Sequence, residues 1–423
     1  MKPSPGLVWP KEHGWERNES PVAILFMLVA TTRCLNIISR EVSKVSYKPL
    51  RILLVVMLII ASISTFGCVG ATTAPRGWSG GVVSGDTLFL GTMTGKLVAL
   101  NTSTFAHVWP EDFTVTTTVA SGFGCSATSV AVAIYGTPAV AGDLVYFGGY
   151  NGKIYALNAS LGALRWVYPR EGSIYPIVGG VVISGGKVYF GDADGEVYAL
   201  DSITGDRQWE FQAGDKIWST PTVSGDTLFI GCFDKKLYAL NAADGTKKWE
   251  FLTEGAIVSS PAVYDNTVYV GSFDRHLYAI NADGSLKWKS DFIAGKWFWA
   301  GLVVRDNLVY APNLDGKVYV LNAQTGEKVA APDLGAPISS SPVTIGNLVI
   351  VVTEKGAVYG LDTSNKATII TSLKTPSDKE EQIYAPLYAS DGVVYIHTQT
   401  KQYEAVYVLR PETGEMPRRI PVN

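Results

Sequence analysis

Residues 191–209 read GDADGEVYALDSITGDRQW, and near-copies recur along the chain. GTMTGKLVALN (91–101), GYNGKIYALN (149–158), GCFDKKLYALN (231–241) and GSFDRHLYAIN (271–281) align with its first half. PNLDGKVYVLN (312–322), VTEKGAVYGLD (352–362) and QYEAVYVLR (402–410) are weaker copies. Ahead of each copy stands a second element, often Ser/Thr-Pro with a valine-rich run and a small turn. STPTVSGD (219–226), SSPAVYDN (259–266) and SSPVTIGN (340–347) are examples. With Asp86, Asp143, Gly186, Asp226, Asn266, Asn307, Asn347 and Gly392 as marks, the spacings are 57, 43, 40, 40, 41, 40 and 45.

A period near 40 with four short strands per unit is what a propeller blade requires. In TLFIGCFDKKLYALN the apolar residues alternate on both sides of a turn, a strand period rather than a helical one. The Asp-Gly or Lys-Lys pair there suits a tight hairpin, with Gly195 or Gly152 supplying the positive φ. Each unit reads as strand A (S-P-x-V), strand B (V-Y-x-G), strand C (x-Y-A-L) and strand D (x-x-W-x-F). The fold expected over 76–423 is therefore all-β, an eight-bladed β-propeller of four-stranded antiparallel blades closing as a single, monomeric ring. Closure removes the exposed edges of an open array.

Composition agrees with a globular body, 47% hydrophobic and 17% charged. Residues 1–68 hold eight Lys/Arg and four Asp/Glu, which leaves 27 against 34 for the remainder. A net acidic body argues against nucleic acid as a partner. The four histidines and four cysteines form no metal-ligand spacing and no C-x-x-C, so no metal site is expected.

The amino-terminal region reads as an address. Residues 52–67, ILLVVMLIIASISTFG, are uncharged and follow Lys48 and Arg51. Such a run is short for a permanent span, which wants about 20 apolar residues, and has the layout of a secretory signal. Gly67-Cys68 resembles a bacterial lipobox, with Thr65 where a leucine is usual. The resemblance makes 45–68 a lipoprotein-type signal peptide, Cys68 the lipidated residue and 69–75 a short linker; the competing reading is an uncleaved anchor helix. Residues 1–44 fit neither pattern and are expected to be an unstructured extension, or to precede a true translation start near Val45. Either way the body is expected outside the cytoplasmic membrane.

Trp109, Trp166, Trp209, Trp249 and Trp288 recur at a fixed point on the outer strands and are expected to seal the seams between blades. Blades six to eight lack the tryptophan, with Val329 or Pro417 near the equivalent places, so their seams are expected to be weaker. Asp194, Asp234, Asp274 and Asp315 repeat in register at the B–C hairpin. They read as turn formers rather than general bases.

The A-x-D-x-x-T-G-x-x-x-W half of the opening stretch resembles the pyrroloquinoline-quinone-type propeller repeat. Two branches use that repeat. Quinoprotein dehydrogenases hold the quinone against a disulfide between adjacent cysteines, with calcium and a catalytic aspartate. The other branch resembles BamB-like lipoproteins of the outer-membrane β-barrel assembly machine, eight-bladed scaffolds without cofactor. This chain lacks adjacent cysteines and the long extra segments of the enzymes. The resemblance therefore implies a non-catalytic scaffold with no cofactor; pyrroloquinoline quinone and calcium belong only to the alternative.

Function is expected where the repeat is broken. The B–C and D–A loops share one face of a propeller, and there Tyr150, Tyr175, Trp218, Phe233, Phe273, Trp297, Phe298, Trp299 and Tyr384 depart from the repeat. Such aromatics are candidates for binding a partner, or for plugging the channel mouth. An insertion at about 110–134, in the first D–A loop, is expected to add a hairpin across that face. It carries Cys125, which with Cys232 would lie on one side of the ring; a disulfide between them is permitted in an exported protein. Three function classes follow: a protein-binding scaffold anchored at the cell envelope, a quinoprotein oxidoreductase, and a carbohydrate binder. Val69 after the lipidated cysteine favours sorting to an outer membrane where one exists.

Overall fold

Val, Ile, Tyr and Phe on alternate positions, interrupted by two glycines or an Asx pair, leave the chain little choice but short antiparallel hairpins. The computed structural model describes residues 77–119, 128–364, 368–374, 381–400, 403–411 and 418–422. The signal at 45–68, Cys68, Cys125 and the segments 1–44 and 69–75 lie outside the described residues. Eight four-stranded antiparallel sheets follow one another, each built from consecutive strands. Their innermost strands are Gly81–Ser84, Ala139–Ala141, Val182–Ser184, Thr222–Ser224, Ala262–Tyr264, Val303–Arg305, Val343–Ile345 and Tyr388–Ser390. Each neighbours the next, and the first lies against the last, so the ring closes blade on blade. Among the described residues no strand is exchanged between the termini. No helix among them is long and apolar enough to cross a membrane.

The tight hairpins are the A–B turns. Gly185 and Gly186, at φ +55° and +73°, join strands whose ends pair as Ser184 with Lys187. The B–C connection is longer: Gly191 pairs with Val197, and Asp192–Gly195 form the turn ahead of the strand Glu196–Asp201. Gly195 takes φ +91° there, while Lys235 and Arg275 take φ +74° and +73° without the benefit of glycine.

The cores lie between blades. Tyr189, Ala199 and Trp209 of the third blade pack with Leu228, Ile230 and Leu240 of the fourth. Here the Thr-Gly of the repeat acquires a second purpose. Trp109, Trp166, Trp209, Trp249 and Trp288 lie over Gly162, Gly205, Gly245, Gly284 and Gly326 of the following blade; a Cβ there would come within 2.6–2.8 Å of the ring. Each indole N–H donates across the seam, to Ala159, Ser202, Ala242, Ala282 and Ala323 carbonyls respectively. Tyr189 and Tyr269 hydroxyls add a second donor to Ala242 and Ala323.

The remaining seams differ in register from the sequence reading. Strand pairing puts Ala330, Thr371 and Arg418 in the tryptophan position, rather than Val329 or Pro417, because Val320, Gly360 and Val408 pair with them. At the sixth blade Tyr310 keeps its place, but its hydroxyl is buried without a hydrogen-bond partner among the described residues. At closure the lock is reversed: Phe105, at φ +61°, replaces the turn glycine, and the Arg418 guanidinium sits 5.1 Å above its ring. Deeper in that seam His397 Nδ1 meets the Ser79 carbonyl at 3.0 Å and Nε2 faces Glu404 at 3.5 Å, while the Met93 N–H donates to Glu404.

Part of the insertion belongs to the first blade. Phe113–Thr114 is its fourth strand, paired with Lys96–Leu97, and only Thr116–Val119 with Thr128–Ala131 forms the extra hairpin. Asn151 Nδ2 donates to the Thr116 carbonyl at 3.0 Å, which sets the hairpin's base beside the B–C loop of the second blade.

Candidate functional site

In every blade the D–A loop ends on a residue that is buried in the seam, followed by one turned to the axis. Ile134, Ile177, Ile217, Ile257, Ile338 and Ile383 fill the seam position, each with no exposure. In the sixth blade Phe298 fills it, 1% exposed and packed on Tyr319. Phe298 therefore is not part of the aromatic face: the loop that enters the sixth blade carries it into the seam, while Trp297 beside it stays exposed and Trp299 lines the mouth. The axial positions are Trp78, Tyr135, Val178, Trp218, Val258, Trp299, Ser339 and Tyr384, one from each blade, and together they wall the mouth of the central channel. They leave a cavity of about 90 Å³.

The rings divide into two arcs. In the first, Trp78 meets Tyr135 at 4.6 Å and Tyr384 at 6.3 Å, and Tyr135 meets Tyr150 at 5.2 Å. In the second, Trp218 touches Phe233 (4.8 Å) and Trp299 (6.2 Å). Phe273 stacks on Trp297 at 4.8 Å and on Trp299 at 5.8 Å. The first arc belongs to blades eight, one and two, the second to blades four, five and six. Val178 and Ser339, in blades three and seven, separate them. Trp297 is 46% exposed and Tyr175 is 54% exposed; Tyr175 makes no ring contact among the described residues.

Trp78 and Tyr135 escaped the sequence reading. Trp78 follows Gly77 instead of an isoleucine, and Tyr135 lies at the end of the insertion. The signal that finds both is the residue after the seam position, counted blade by blade.

The electrostatics are sparse. Burial pushes the Tyr135 hydroxyl up to about 12 and raises Tyr384, which Glu354 raises further. Glu354, half-buried in the seventh B–C loop, is raised by burial against the opposing pull of Ser339 and Lys296. Its Oε1 is buried and lies beyond hydrogen-bond distance of the described residues. The hairpin aspartates are otherwise engaged. Asp234, Asp274 and Asp315 accept from Tyr238, Tyr278 and Tyr319 and from the backbone N–H of Gly214, Glu254 and Gly295. They tie each hairpin to the loop that enters its blade. In the third blade Tyr198 donates to Glu196 instead, and Asp194 has no such tyrosine bond. Cys232 is buried, its Sγ donating to the Asp215 carbonyl at 2.9 Å, and burial pushes the thiol up to about 12. No cysteine partners it among the described residues. Nor do any three His, Cys, Asp or Glu side chains among them group to hold a metal ion.

The mouth thus sets aromatic rings beside the hydroxyl residues Thr137, Thr220, Ser260, Ser339 and Ser341. The profile of the family described as outer membrane protein assembly factor BamB matches residues 61–216 and again 204–418. Among solved structures, BamB from Moraxella catarrhalis is similar at 21% identity and a TM-score of 0.60, over 75% of this chain and 92% of that one. The computationally designed Ika8 protein is similar at 17% identity and 0.63, over 79% and 96%. Quinohemoprotein alcohol dehydrogenase ADHIIG from Pseudomonas putida HK5 is similar at 14% and 0.57, over 77% and 70%. These likenesses show the fold. No curated protein matches the sequence. The chain, matched over nearly its whole propeller, belongs to the family of outer membrane protein assembly factor BamB.

Proposed function

We propose that this propeller is a non-catalytic scaffold, anchored at the cell envelope through Cys68, that holds a protein partner during assembly of outer-membrane proteins. The observation that carries the reading is the pair of aromatic arcs on the B–C and D–A face. Aromatic rings that no blade needs for its own seam, gathered on one surface, have the composition of an interaction hot spot. Family membership supports the kind of partner. The narrow mouth supports a scaffold over a quinone enzyme. A cavity of about 90 Å³ is well short of the roughly 300–1,000 Å³ of pockets that enclose cofactor-sized ligands. The adjacent cysteines that would back the quinone are missing, and the hairpin aspartates Asp234, Asp274 and Asp315 are bound to tyrosines and backbone. Residues here do not fit that cofactor.

Photocrosslinking in the native envelope tests the proposal. A photoreactive side chain replacing Trp297 is expected to capture an envelope protein, and one replacing Ile203, 72% exposed on the C–D face, is expected to capture none. Equal capture from both positions, or none from Trp297, overturns it.

A further inference from the structure

We infer that the channel mouth is a cage for one alkylammonium group. The cavity of about 90 Å³ admits a small group and is well short of the roughly 300–1,000 Å³ of pockets that enclose larger ligands. Its walls include Trp78, Tyr135, Trp218, Trp299 and Tyr384. Aromatic faces carry a negative potential that attracts an ammonium within about 6 Å of the ring centre. The chain's own Lys216 is placed in this way: its Nζ lies 5.1 Å from the Phe233 centroid and 6.0 Å from that of Trp218.

Charge points the same way. Glu354 stands beside Ser339 and Tyr384, two residues of the wall, with the Ser339 hydroxyl favouring its charged form, and its Oε1 is buried beyond hydrogen-bond distance of the described residues. A buried carboxylate oxygen lacking a donor is costly, and Lys296, the cation that faces it, is exposed on the rim. An ammonium in the mouth brings a second positive charge to that carboxylate from the enclosed side. Hydroxyls of Thr220, Ser260 and Ser341 also line the cavity and accept from N–H groups.

The inference rests on the face being a binding surface, and it names the chemistry read there. Isothermal titration compares choline with 3,3-dimethylbutan-1-ol, its neutral isostere, and N-acetyl-lysine methylamide with N-acetyl-norleucine methylamide. At least one charged probe is expected to bind about tenfold or more tighter than its isostere. The tighter of the two charged probes distinguishes a small amine from a protein-borne lysine. Trp299→Ala and Glu354→Gln are each expected to weaken that probe about tenfold, with thermal melts confirming that both variants fold. Charged and neutral probes binding alike, or neither charged probe saturating, overturns the cage. Capture at Trp297 would survive that failure, so the scaffold reading and the cage fail separately.

Discussion

Gly245→Ala tests the seam lock that the repeat encodes. The substitution meets two costs. Gly245 has φ +76°, where an L side chain costs about 1–2 kcal/mol. Its new Cβ would also lie 2.6 Å from the Trp209 ring, which forces an overpacking cost of about 1–3 kcal/mol. Trp209→Ala alone removes a buried indole and its bond to the Ala242 carbonyl, at about 3–5 kcal/mol. In the double variant the backbone cost remains but the clash has nothing to meet. The two changes together are therefore expected to cost about 1–3 kcal/mol less than their sum. Gly225→Ala is the control. Its φ is +59° with nothing within 4 Å of the added Cβ, so it carries the backbone cost alone and adds to Trp209→Ala. Urea unfolding followed by circular dichroism reads all five variants. Additivity within about 0.5 kcal/mol for the Gly245 pair would refute the lock and reduce that glycine to a turn former.

Tyr310→Phe is expected to leave stability unchanged or improved, because it deletes a buried hydroxyl with no hydrogen-bond partner among the described residues, whereas Tyr269→Phe loses a bond to Ala323 and costs about 0.5–1.5 kcal/mol; thermal melts compare them. Phe298→Ala is expected to destabilise by about 3–5 kcal/mol, while Trp299→Ala lowers crosslinking at the aromatic face with a smaller loss in the same melts. Iodoacetamide is expected to leave Cys232 unmodified in the native protein and to modify it once urea exposes the thiol. Protection that persists in urea until a reductant is added would establish a disulfide at Cys232, and peptide mapping of the unreduced protein would then show whether Cys125 is its partner.

Much of the fold was legible because a blade is a local object. Strand alternation, two-residue turns and a repeat near 40 all act within one unit, so GDADGEVYALDSITGDRQW declares a blade wherever it occurs. The places misread share a different property. Phe298 and Trp299 are adjacent in sequence and chemically alike, and only the path of the loop between two blades sends one into the seam and the other to the axis. Strand register places the tryptophan position of the sixth blade at Ala330, one residue beyond the Val329 that the sequence put near it. Phe113–Thr114 disappeared into an apparent insertion because a two-residue strand has no period to detect.

By itself the sequence determined the eight blades, the seam tryptophans and the face on which departures from the repeat gather. Each follows from interactions between residues close along the chain, repeated often enough to be unmistakable. The tertiary structure alone decided what distant blades do to one another. It placed Trp78 of the first blade beside Tyr384 of the last, set Arg418 on Phe105 at closure and gathered one residue from each blade around a narrow mouth. Those contacts depend on ring closure, which brings residues hundreds of positions apart within a few ångströms, and no local period records which of them will meet.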